Sequence, residues 1–101
     1  LSTIGSITPK QLKDRLQRGE TPAMVDVREH DEVAHGMVPG AVHIPLGELP
    51  ERLREVPQNG EVILICRSGN RSGRACEYLQ AQGLQGLVNM TGGMLEWEKL
   101  D

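Results

Sequence analysis

The chain has 101 residues, 38% of them hydrophobic and 25% charged, which suits one soluble globular domain over residues 1–101 and excludes a disordered chain. With a formal net charge of −3 and eight arginines that cluster only near residues 67–74, no basic stripe offers itself to nucleic acid. The longest apolar run, Val62 to Cys66, is strand-sized, far below the roughly 20 residues a membrane-crossing helix needs, so no membrane partner is expected.

Tyr78 and Trp97 are the only aromatics, and the core must therefore be built from Val, Ile, Leu, Met and Ala. The first helix, roughly residues 9–18, opens on Thr8-Pro9-Lys10-Gln11, with a capping Thr, Pro at the first helical position and Gln three residues after the cap. Ile7 and Leu12 can close a hydrophobic staple, Leu12 and Leu16 share a face, and Gly19 stops the helix, which is expected to cover a sheet edge. Four segments read as strands: Ala23–Val27, Ala41–Ile44, Glu61–Cys66 and Leu87–Met90. Between and after them lie helical stretches at about 29–35, 47–55, 71–82 and 93–99. The unbroken run Val62-Ile63-Leu64-Ile65 marks a central strand buried on both faces. The alternation predicts an α/β fold, an open twisted parallel sheet of about 4–5 strands with helices on both faces.

Ligands of such sheets bind at the carboxyl ends of strands, where loops lead into helices. Cys66 stands at that point, followed by the turn-prone Arg67-Ser68-Gly69-Asn70 and then Arg71-Ser72 at the next helix start. A curled loop aims backbone N–H groups inward, the helix adds its positive end, and Arg67 and Arg71 add charge, so the thiol is expected to ionise more readily than a free one. The competing reading, an inert buried thiol, leaves the glycine, the arginines and the helix start unexplained. Cys76 is the reverse case: with Ser72, Ala75 and Leu79 it falls on one helical face and is expected in the core. Both thiols are read as reduced, and the protein as cytoplasmic. No secretory leader is recognised, although Leu1 in place of Met leaves room for a trimmed upstream segment.

The segment from Cys66 to Ser72 resembles the active loop of single-domain rhodaneses. Two further segments resemble that family in order: Asp26-Val27-Arg28-Glu29 with Glu32 and Gly36 through Leu46, and Thr91-Gly92-Gly93-Met94-Leu95-Glu96-Trp97. The resemblance implies a rhodanese-like fold and a sulfurtransferase in which Cys66 is catalytic, with Arg67, Ser68, Gly69, Asn70, Arg71 and Ser72 as the anion loop. Sulfur would pass from thiosulfate or a related donor, through a Cys66 persulfide, to cyanide or a thiol, a protein thiol included. Arg67 or Arg71 would hold the donor's sulfonate. Met37 departs from the family pattern, which commonly has His there. No cofactor and no metal are expected, since His30, His35 and His43 have no ligand spacing that combines with a cysteine. Asp26 and Arg28 are read as a local brace, and Trp97 as core beside Met94 and Leu100. Two rival readings exist. Cysteine-dependent phosphatases resemble this arrangement but have five residues between Cys and Arg, against four here, and rhodanese-like domains without catalysis serve as binding or regulatory modules, usually after losing the cysteine that this chain keeps.

Overall fold

In the computed structural model, which describes residues 3–58 and 60–101, five parallel strands form one sheet: β1 (Gly5–Ile7), β2 (Ala23–Asp26), β3 (Val42–His43), β4 (Val62–Ile65) and β5 (Leu87–Met90). Their order is β1-β5-β4-β2-β3. The central strand is β4, as its unbroken apolar run predicts: all four residues are buried, and it pairs with β2 on one side and β5 on the other. Alternation along β4 divides its side chains between two cores. Val62, Leu64 and Cys66 join Ala75, Cys76 and Leu79 on one face, whereas Ile63 and Ile65 join Leu12, Met24, Met90 and Met94 on the other.

Helices cover both faces: α1 (Pro9–Gln17), α2 (His30–Val33), α3 (Asn70–Ala81) and α4 (Gly93–Trp97). At the start of α1 the Thr8 side chain accepts from the Gln11 amide and the Gln11 side chain accepts from the Thr8 amide, the reciprocal cap legible in the sequence. Because Leu12 packs in one cluster with Ile63 and Ile65, α1 covers a face of the sheet and not only its edge. In α3, Ser72, Ala75, Cys76 and Leu79 are all buried, as their spacing predicts. Trp97 packs, partly buried, against the cluster that holds Met94.

Three expectations are corrected. The strand β1 went unseen, since Gly5-Ser6-Ile7 is too short and too polar to show a period, and only pairing with β5 makes it a strand. The helix expected at 47–55 is instead two 3-10 turns, Leu46–Glu48 and Leu53–Glu55. Pro50 has no N–H for a helical ladder, so the segment tightens on either side of it. The strand expected at Ala41–Ile44 shrinks to the two residues of β3, which lies at the end of the strand order and pairs with β2.

Candidate active site

The sheet's chain order reverses between β2 and β4: from β2 the chain runs outward to β3, and from β4 it runs the other way to β5. The loops leaving these two strands diverge, and the crevice between them is where parallel sheets hold ligands. The segment after β2 supplies Arg28 and, from α2, Glu32, while that after β4 supplies Cys66 through Gly69 and, from the start of α3, Asn70 through Ser72.

Cys66 directly follows β4 with its side chain on the α3 face, and the residue is 1% exposed. The chain then curls, with Gly69 at φ 101°, a left-handed conformation that an L side chain resists, and α3 begins at Asn70. This curl brings the Gly69 amide to 3.0 Å from the Cys66 Sγ, and the Ser72 hydroxyl lies 3.3 Å from the same sulfur. Burial, the strongest single influence, pushes the thiol's pKa up. Hydrogen bonds from the Ser72 hydroxyl and from the amides of Ser72, Gly69 and Ser68 outweigh it, and the net shift is downward. The sulfur thus carries negative charge more readily than a free thiol.

The lowering comes chiefly from hydrogen bonds of the loop and of the Ser72 hydroxyl. Arg71 and a charged Cys66 sulfur also attract each other electrostatically, as expected. Arg71 is turned away: its Nη1 and Nη2 donate to the Glu32 carboxylate at 2.6 and 2.7 Å. A fork of two parallel bonds is the strongest geometry available to this pair. The Arg71 guanidinium in turn holds the Glu32 carboxyl down to about 2. Arg67 is exposed, and among the described residues its guanidinium has no partner. It lines a groove of about 250 Å³ with Arg28, Glu32, His35, Met94, Leu95 and Glu98. Ser68 and Asn70 are exposed on the loop's outer side.

The floor beneath the loop is α4. Amides of Met94 and Leu95 donate to the carbonyls of Cys66 and Arg67 at 2.9 and 3.0 Å. So close an approach requires Gly93, where an added Cβ would overlap the Arg67 carbonyl group. From the side, Asn89 of β5 donates through Nδ2 to the Gly69 carbonyl at 3.1 Å and accepts through Oδ1 from the Ser72 hydroxyl at 2.5 Å. Sequence reasoning missed Asn89, whose signal was a lone polar residue in the otherwise apolar run Leu87–Met90. Glu32 stood in a quoted motif without a role. Met37, where the family commonly carries His, is half-buried, and the hydrogen bonds around the loop come from Glu32 and Asn89 instead.

The remaining flagged residues are structural. Asp26 is 0% exposed and receives the Arg28 Nε and Nη2 at 3.0 and 2.8 Å together with the Arg28 amide at 3.0 Å, while Arg28 Nη2 also donates to the Gly36 carbonyl. His43 bonds through Nε2 to the Arg28 carbonyl at 2.6 Å. Cys76 is 0% exposed, and burial, with Glu77 adding to it, pushes its thiol up to about 12. A larger depression, about 530 Å³, opens at the amino ends of β1, β4 and β5. Its one ionisable group among the described residues is Glu61, already paired with Arg15, so it has no chemistry to compete with the loop.

The profile of the rhodanese-like domain matches residues 8–100. The chain belongs to the rhodanese-like family. YtwF of Bacillus subtilis is 44% identical over 95 residues, which span 94% of this chain and 91% of YtwF. A protein of Allochromatium vinosum named a sulfurtransferase is 38% identical over 96 residues, 95% of this chain and 90% of its own. The crystal structure of a rhodanese-like domain protein from Staphylococcus aureus matches with a TM-score of 0.86 at 37% identity, covering 97% of each chain. The α/β architecture with a parallel sheet is that of rhodanese-like domains. No helix among the described residues is long and apolar enough to cross a membrane.

Proposed function

We propose that this rhodanese-like chain is a sulfurtransferase that carries sulfane sulfur on Cys66, taking it from thiosulfate or a related persulfide donor and giving it to cyanide or a thiol. The observation that carries this reading is the hydrogen-bonded sulfur: a buried Cys66 whose ionised form is favoured by Ser72 and by the loop amides. The Cys66 thiolate attacks the outer sulfur of thiosulfate, a sulfur–sulfur bond forms on the protein, and the bond to the sulfonate group breaks. Sulfite leaves with that electron pair. Thiolate and persulfide are both anions, so the same donors can stabilise the sulfur before and after transfer. The acceptor then attacks the outer sulfur of Cys66–S–S⁻, and Cys66 leaves as thiolate. Arg67, free of partners among the described residues, is the cation suited to the departing sulfonate; Arg71 has both terminal nitrogens committed to Glu32. The relative named a sulfurtransferase supports the reaction class. Both cysteines are free thiols, which fits a reducing, cytoplasmic setting.

A phosphatase reading finds no support in this geometry. Four residues separate Cys66 from Arg71, the arginine faces Glu32 and not the loop interior, and 1% exposure of Cys66 suits a slim sulfane end better than a phosphoryl group with its substituent. Intact mass after thiosulfate treatment tests the proposal. A gain of about 32 Da that cyanide removes and that Cys66→Ala lacks is the expected result; an unchanged mass in the wild-type protein overturns it.

A further inference from the structure

Ser72 is fully buried, and its hydroxyl has one proton for two acceptors, the Cys66 sulfur at 3.3 Å and the Asn89 Oδ1 at 2.5 Å. Which end of the Asn89 amide faces Ser72 is settled by its other bond. The Nδ2 donates to the Gly69 carbonyl at 3.1 Å, so Oδ1, which can only accept, is left for the hydroxyl. That carbonyl belongs to the residue whose own amide stands 3.0 Å from the sulfur. One side chain therefore bonds to the Ser72 hydroxyl and to the carbonyl of Gly69, two of the residues whose donors face the sulfur.

We propose that Asn89 is a positioning residue of the Cys66 site, whose amide joins the Ser72 hydroxyl to the Gly69 carbonyl and thereby aims the donors that face the sulfur. This rests on the reading of Cys66 as the reacting group. With a neutral thiol, the S–H donates to Ser72 Oγ and the hydroxyl proton goes to Asn89 Oδ1. With an anionic sulfur, as thiolate or persulfide, the hydroxyl turns its proton to the sulfur and gives up its bond to Oδ1, while the Nδ2 bond to the Gly69 carbonyl keeps the amide in place through the change. The pinned Gly69 carbonyl meanwhile holds the left-handed turn that presents the Gly69 amide. The charged and titratable groups around the site are Arg67 on the loop, Arg71 on α3, Glu32 on α2 opposite it, Glu29 at the start of α2, and Arg28, His35 and Glu98 along the groove. Among the described residues, none of these bonds to Asn89.

Asn89→Asp keeps the shape but places a carboxylate where the amide was. It draws the Ser72 proton away from the sulfur, opposes the Gly69 carbonyl and adds negative charge nearby, three effects of one sign. Alkylation of the Cys66 peptide by iodoacetamide, followed across pH by mass spectrometry without any sulfur donor, is the readout. Its midpoint should rise by about one pH unit, an approximately tenfold slower reaction near neutral pH. Placed on Ser72→Ala, the Asn89→Asp shift should fall to half or below, because the relay through the hydroxyl is gone. Asn89→Leu on the same Ser72→Ala background, where no hydroxyl proton is contested, loses only the tie to the Gly69 carbonyl and should raise the midpoint by less. A wild-type profile in folded Asn89→Asp overturns the proposal, as does an Asp shift undiminished by Ser72→Ala. Should Asn89→Asp not fold, the midpoint of Asn89→Leu with Ser72→Ala against that of Ser72→Ala alone decides. Failure of thiosulfate to load the wild-type protein, with these alkylation shifts present, would refute the sulfurtransferase reading and leave the role of Asn89 standing.

Discussion

Two cysteines ten positions apart have opposite chemistry because their surroundings differ in donors, not in burial. Both are almost wholly buried, and burial alone disfavours a charged sulfur at each. At Cys66 the loop amides and Ser72 reverse that penalty. At Cys76, on the inner face of α3, nothing does, and the thiol is pushed up to about 12. Iodoacetamide at neutral pH should therefore modify Cys66 and spare Cys76, with a rate that falls only as pH drops below the lowered Cys66 value. Peptide mapping across pH checks this, and equal labelling of both thiols would refute it. The same shift links ionisation to folding. A depressed thiol value stabilises the folded chain above the unfolded thiol's pKa, and that contribution fades as pH falls through the folded one.

At the scale of elements, Cys66 was legible as the nucleophile because strand, loop and helix follow one another in sequence. The partners of its two arginines were not, since the contact from α2 to α3 spans 39 positions and depends on β2 and β4 lying side by side. Sequence proximity suggested that Arg67 and Arg71 act alike; the fold separates them. Arg71→Ala would leave the Glu32 carboxylate without its fork and loosen the tie between the two loops. That tie holds at every pH above the ordinary carboxylate range and is lost as pH falls through about 2. Arg71→Ala should lower stability by about 1–2 kcal/mol and slow sulfur uptake. Arg67→Ala removes an exposed charge that is unpaired among the described residues, so urea midpoints should stay near wild type while KM for thiosulfate rises about tenfold, the worth of one charge-assisted contact. Steady-state kinetics beside urea titration separates the two, and equal stability losses would show that both arginines are structural.

For the molecule as a whole, the site depends on β2 and β4 remaining neighbours at their carboxyl ends. The apolar patterning that builds the sheet was plain in Val62–Ile65, and so was the buried face of α3. The lock at the end of β2 was visible only as two charged residues with a bracing role. Its depth was hidden, because burial of a charge depends on what the rest of the chain lays over it. Asp26 is 0% and Arg28 5% exposed, and Arg28 also reaches the Gly36 carbonyl, tying β2 to the turn after α2. Asp26→Ala would strand a guanidinium in the interior, where loss of one partner of a buried pair costs about 3–5 kcal/mol, a large share of a stability of about 5–15 kcal/mol. Urea unfolding should show that loss. Replacing both partners by apolar residues, Asp26→Leu with Arg28→Met, removes the stranded charge and should recover part of the stability. Sulfur loading in the double variant should still be impaired, because Arg28 lines the groove and its bond to the Gly36 carbonyl is gone. A double variant no more stable than Asp26→Ala would mean that the hydrogen bonds to Gly36 and to the Arg28 amide, rather than the charge balance, hold this end of the sheet together.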